Sequence, residues 1–205
     1  MQDNSYRNDR DEMRDLLKQF ENLRTGMSHG FLEEDSFEKI IDYFDEKDDI
    51  AKALEAVELG VGQFPYSASL MVKKADLLIA TRKYNDALEI LEKAEILDSS
   101  DIDIYILKTD VFLALDEHEK AVGLLEDAIS LFEGDNRINL LFELADVYDD
   151  YEEFDKVFDC LMHILAYEPN NEEALYKICF WTDFTGRSEE SIRLHQHIIN
   201  EFPYN

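Results

Sequence analysis

Proline, glycine and cysteine are scarce in this chain, and each scarcity excludes something. Three prolines and seven glycines among 205 residues are too few for the turn density of an all-β sandwich or barrel. Two cysteines, Cys160 and Cys179, suit neither a disulfide framework nor a zinc site, and a reducing compartment is expected. No apolar run approaches the roughly eighteen residues of a membrane span, and the polar opening from Met1 to Glu12 lacks a secretory pattern. Positive charge is short as well: 20 Lys and Arg against 48 Asp and Glu leave -28. Binding nucleic acid through phosphate requires a basic stripe, and docking on anionic lipid requires a basic patch, so no nucleic-acid or membrane partner is expected. The acidity does not imply disorder, because 45% hydrophobic and 12% aromatic residues can build a core. A soluble, cytoplasmic chain is expected, either one domain or one short repeat array.

The few prolines carry a period. Pro169 and Pro203 lie 34 residues apart, and Pro65 precedes Pro169 by 104, which is three periods of 34 plus two. If each proline closes a unit, the units are 34–67, 68–101, 102–135, 138–171 and 172–205, with Asn136 and Arg137 inserted. Other columns agree with this frame. The eighth position reads Ile41, Ala75, Thr109, Ala145, Cys179; the eleventh reads Phe44, Leu78, Phe112, Tyr148, Thr182. The twentieth reads Ala53, Ala87, Ala121, Val157, Ser191, and the twenty-fourth Val57, Leu91, Leu125, Leu161, His195. Within each unit two helical stripes flank a polar break, as Met71, Ala75, Leu78 and Ala87, Leu91, Ala94 do around Thr81-Arg82-Lys83. Small residues at recurrent positions allow helices to cross closely, and neighbouring units must stack to bury their faces.

A 34-residue helix–turn–helix with small eighth and twentieth columns and a closing proline resembles the tetratricopeptide-repeat family. The resemblance covers 34–205; the second unit, with Ala75, Tyr84, Ala87 and Ala94, carries it most cleanly. The family's fourth-column tryptophan is replaced by Phe37, Met71, Tyr105, Leu141 and Leu175. The fifth unit departs further, with Thr182, Ser188, Ser191 and His195 where apolar groups are expected. The resemblance implies an all-α, right-handed superhelical solenoid of antiparallel helix pairs. It also implies a concave face lined by each unit's first helix, on which partners bind through positions two, five, nine, twelve and thirteen.

Segment 1–33 lies outside the frame. Met13, Leu16, Leu17, Phe20 and Leu23 form a helical stripe that Gly26 would end, so a capping helix over about 12–25 is expected, with residues 1–10 disordered. The rival for this helix is a detachable segment that docks in a groove of its own or a neighbouring molecule. At the other end Ile192, Ile198 and Ile199 are expected on an uncovered face.

The concave columns single out Asp42, Asp76, Asp110, Asp146 and Phe180 at position nine, flanked by Val72, Ile79, Ile106, Leu113, Phe142, Tyr176 and Phe184. An aspartate column can be a solvated helix face, or an acidic ladder that receives an apolar segment bearing Lys or Arg. No cofactor, metal or catalytic residue is expected. His195 and His197 are two apart, which points their rings away from each other on a helix. Asp149 to Asp159 lacks calcium-loop spacing, and no glycine-rich phosphate cradle occurs. Cys160 and Cys179 read as buried small groups. The expected function is a non-enzymatic scaffold for a cationic, partly apolar protein or peptide. The alternatives are a self-associating array forming a homo-oligomer, or an accessory domain of a longer protein.

Overall fold

The computed structural model describes residues 2–27 and 30–201. Those residues form eleven helices: α1 (Gln2–Arg24), α2 (Glu34–Asp45), α3 (Ile50–Gln63), α4 (Ala68–Ala80), α5 (Tyr84–Leu97), α6 (Ile102–Ala114), α7 (His118–Leu131), α8 (Gly134–Asp150), α9 (Phe154–Tyr167), α10 (Glu172–Thr185) and α11 (Ser188–Glu201). They divide inside α6 into two compact units, 1–107 and 108–205. The expected closing proline at 203 lies outside the described residues.

From α2 onward the helices come in pairs, and the turn inside each pair repeats one backbone conformation. Asp48, Arg82, Asp116, Glu152 and Gly186 all have φ between 58° and 71°, at spacings of 34, 34, 36 and 34 residues. The longer step spans Asn136 and Arg137, the two residues that the sequence frame leaves over. In the first four turns the left-handed residue donates its N–H three residues back, as Arg82 does to Ile79 at 2.8 Å. The next N–H then reaches five back: Asp49 to Phe44, Lys83 to Leu78, Glu117 to Phe112 and Glu153 to Tyr148, all at 2.8–2.9 Å. These bonds satisfy the last carbonyls of one helix and turn the chain into the next. Side chains cap several starts: Asp49 accepts from the Lys52 N–H, Ser67 from Leu70 and Asn171 from Ala174.

In the first unit α2 packs on α3 and α4 on α5. The fully buried Ala53, Ala56 and Ala87 let these helices approach. Phe20 of α1 reaches the core beside Phe44, with ring centroids 5.7 Å apart, and Leu16, Leu17 and Leu23 pack around it. Two ion pairs fix α1 at its margins, Lys39 to Glu12 and Arg24 to Glu55, both 2.9 Å. The helix begins at Gln2 rather than near residue 12, and the segment expected to be disordered is helical. Residues 2–12 carry no apolar stripe to read, yet they contain no proline, glycine or β-branched residue to stop a helix.

In the second unit α8 packs on α7 and α9, and α10 on α9 and α11. Leu125, Leu140, Phe158, Leu161, Ile164, Ala174 and Ile178 form its interior. The polar residues of the last pair are accommodated locally. Buried Thr182 donates to the Ile178 carbonyl at 2.6 Å, and His195 Nδ1 lies 2.7 Å from the Ser191 carbonyl. Two expectations need correction here. Cys160 is buried but Cys179 is exposed, because α10 buries Ile178, Trp181 and Thr182 instead. Ile192 and Ile199 are exposed as expected, whereas Ile198 is buried.

Leu91 is fully buried and Ile96 is 84% exposed on the same helix. Leu91→Ala should lower unfolding stability by about 2–5 kcal/mol through cavity formation, while Ile96→Ala should change it by less than about 0.5 kcal/mol. Arg82→Gly should raise it by about 1 kcal/mol by relieving the left-handed strain. Urea denaturation of the three variants checks all of these.

Candidate functional site

The expected surface residues do not form a uniform column of solvated carboxylates. In the first unit Asp42 of α2 is ion-paired with Lys73 of α4. Asp76, also on α4, is partly desolvated and feels the negative charge of Asp45, and both raise its pKa against the opposing pull of Lys73. Val72 is buried, so it does not flank an open surface; Ile79 and Ile106 are half-buried.

The second unit presents a different arrangement. Asp110 and Leu113 lie on α6, Phe142 and Asp146 on α8, and Tyr176 and Phe180 on α10. Lys177 of α10 sits 3.9 Å from Asp146, 2.8 Å from Glu173, and 5.0 Å above the Phe142 ring. Burial raises the Asp146 pKa although Lys177 opposes it. Glu143 is raised too, by desolvation first and then by the charges of Asp110 and Asp146. Beside this acidic cluster, α10 exposes three aromatic rings at helical spacing: Tyr176 is 83% exposed, Phe180 60% and Phe184 58%. Trp181 packs below them. Its ring lies 5.0 Å from Phe180, 5.6 Å from Phe184 and 5.4 Å from Phe154 of α9. Phe154 and Phe184 meet edge to face at 4.6 Å.

The α10 face thus joins apolar area to crowded carboxylates. No protein-family model matches this chain, and no curated protein matches it either. Solved structures do. A MamA protein superposes with a TM-score of 0.56 at 22% identity, over 82% of this chain and 90% of that one. TTC0263, a thermophilic TPR protein of Thermus thermophilus, gives 0.60 at 16% identity over 73% and 81%. YrrB, described as a TPR protein with an unusual peptide-binding site, gives 0.50 at 15% over 83% and 87%. The chain has the tetratricopeptide-repeat fold. At these identities the likeness carries the fold alone.

Within that repeat the contacts follow a rule that the aspartate column alone did not reveal. The residue 31 positions after each ninth-column aspartate lies at the sixth position of the next repeat. That residue is Lys73 after Asp42 and Lys177 after Asp146, but Leu107 after Asp76. After Asp110 the two-residue insertion lengthens the step to 33, and the sixth position holds Glu143. Where the sixth position is lysine, it pairs with the preceding aspartate; where it is Glu143, the charges of Asp110 and Asp146 act on that carboxyl. The column Lys39, Lys73, Leu107, Glu143, Lys177 was the available signal. Trp181 and Phe154 were also missed, since neither stands in a concave column.

The raised carboxyls set a sign for pH dependence. A native carboxyl that holds its proton more firmly than the unfolded chain stabilises the fold at low pH, and that stability is lost as pH rises through its raised native pKa. Glu143→Gln removes one such charge. It should raise stability at pH 7 by about 0.5 kcal/mol, a figure discounted for partial exposure, with the gain vanishing near pH 4. Thermal unfolding at both pH values checks this.

Proposed function

We propose that this chain is a protein-interaction scaffold without catalytic activity, and that the α8–α10 face of its second unit receives a cationic, partly apolar segment. The supporting observation is the stripe of exposed rings, Tyr176, Phe180 and Phe184, beside Glu143 and Asp146. Aromatic rings bury large area at small entropic loss and accept cations on their faces. Burial, and after it repulsion from Asp110 and Asp146, raises the Glu143 pKa, and an incoming Arg or Lys would offset both. YrrB, which shares the fold, is described as having a peptide-binding site, and a role of that class is in keeping with this reading. The net charge of -28 makes nucleic acid and anionic membranes unfavourable partners.

The same reading takes 34–205 as five repeats, with 1–33 as a tail and capping helix. Asp110 has a supporting electrostatic role rather than direct contact, and Asp42 and Asp76 belong to the first unit. A reducing, cytoplasmic setting suits the exposed free thiol of Cys179. A second reading, self-association, draws on exposed Ile192 and Ile199 on α11; sedimentation velocity across concentrations separates it, since a persistent monomer contradicts it.

Selection of displayed random peptides against the full chain tests the leading reading, with Phe180→Ser/Phe184→Ser as the comparison target. Enriched peptides should combine Arg or Lys with large apolar residues and bind the variant at least about tenfold more weakly. Acidic or purely neutral winners, or equal binding to both targets, would contradict it.

A further inference from the structure

A cavity of about 490 Å³ opens in the second unit among α7, α8 and α9, and none of the residues assigned to partner binding lines it. Its size is that of a small-molecule site. Ile129 from α7 and Leu141 and Leu144 from α8 supply apolar wall; Arg137, at the start of α8, and Lys156 of α9 bring positive charge, and Glu126 and Asp159 bring negative charge.

Arg137 is placed unlike four other arginines of this chain. Arg14, Arg24, Arg187 and Arg193 each meet a carboxylate, as 48 Asp and Glu residues would lead one to expect. The Arg137 guanidinium instead lies 4.3 Å over the Tyr167 ring, and its Nε is shut off from solvent with no hydrogen-bond partner. A sequestered donor on a cationic group is unfavourable until an acceptor arrives. In the repeat frame read from the sequence Asn136 and Arg137 are the two extra residues, and they fall in the first turn of α8, so in that frame this side chain has no counterpart in the other units.

The acidic groups around the cavity are already occupied. Asp159 receives Arg187 at 2.7 Å, and Glu126 accepts the Tyr148 hydroxyl at 3.1 Å. The Cys160 thiol is held neutral by burial, its pKa pushed up to about 12, so it does not repel an anion. Lys156 of α9 also lines the cavity, but it is already paired with Glu153 and seated over the Tyr148 ring. Arg137 is therefore the cation left for a ligand, and one such cation beside two carboxylates does not suit a polyanion. It suits a single carboxylate carrying an apolar body.

We infer that the α7–α8–α9 cavity binds a small amphipathic monocarboxylate, its carboxylate held by the Arg137 guanidinium and its hydrocarbon chain by Ile129, Leu141 and Leu144. This site is independent of the peptide-binding reading, and either can fail without the other.

Isothermal titration of the full chain with sodium decanoate tests it. One decanoate should bind per chain, at least about tenfold more tightly than decanol, a comparison that requires no variant. Arg137→Gln, with circular dichroism confirming its fold, should lose that preference, while Phe180→Ser/Phe184→Ser should retain it. Equal affinity for decanoate and decanol, equal binding by wild type and Arg137→Gln, loss of binding in the aromatic variant, or no saturable binding below the micellar range would each overturn the proposal.

Discussion

A short helix pair cannot bury its apolar residues by itself, so within each compact unit the pairs depend on close approach to one another. That approach is set by residues too small to hold helices apart. Ala53, Ala87 and Ala121 are completely buried at one recurrent position, and a larger side chain there would force the helices to separate. The turn joining each pair is fixed with equal economy. One left-handed residue, at 48, 82, 116, 152 and 186, returns the chain onto the helix it has just left. Four of these five residues are not glycine, so the fold tolerates local strain to keep the turn.

Packing of this kind fixes which side chains remain outside. Helices α2, α4, α8 and α10 keep polar or aromatic groups at the positions their neighbours do not cover. The resulting electrostatics depend on one residue in the following repeat. Lys73 and Lys177 engage their aspartates, whereas Glu143 places a third negative charge near Asp110 and Asp146. In the second unit Lys177 serves both Asp146 and Glu173 on the helix that leaves Phe180 and Phe184 uncovered. Desolvated carboxyls and exposed apolar area on one face favour a partner that is both cationic and apolar.

The repeat and its fold class were legible because alanine crossings and closing prolines are steric requirements, and such requirements recur in sequence at fixed spacing. Surface chemistry was legible only in part. Position nine named the aspartates but not their partners, since those stand a full repeat away on another helix. Val72 looked like surface and is core; Cys179 looked like core and is surface. Both depend on how far a helix rotates about its axis, which a two-letter pattern of apolar and polar residues does not fix. The start of α1 was missed because its first residues lack any apolar stripe. Arg137 was visible only as an insertion, and its cavity requires three helices to be placed together.

The chain's single tryptophan reports directly on the α10 face. Trp181 lies against Phe180 and Phe184 at 5.0 Å and 5.6 Å, so a ligand covering those rings changes its surroundings. A titration of Trp181 fluorescence with a basic amphipathic peptide should show a saturable shift that weakens as salt is added. A charge-reversed peptide of the same apolar content should produce none. Equal responses to the two peptides, or none to either, would contradict the account of the α10 face as a site for cationic, partly apolar partners.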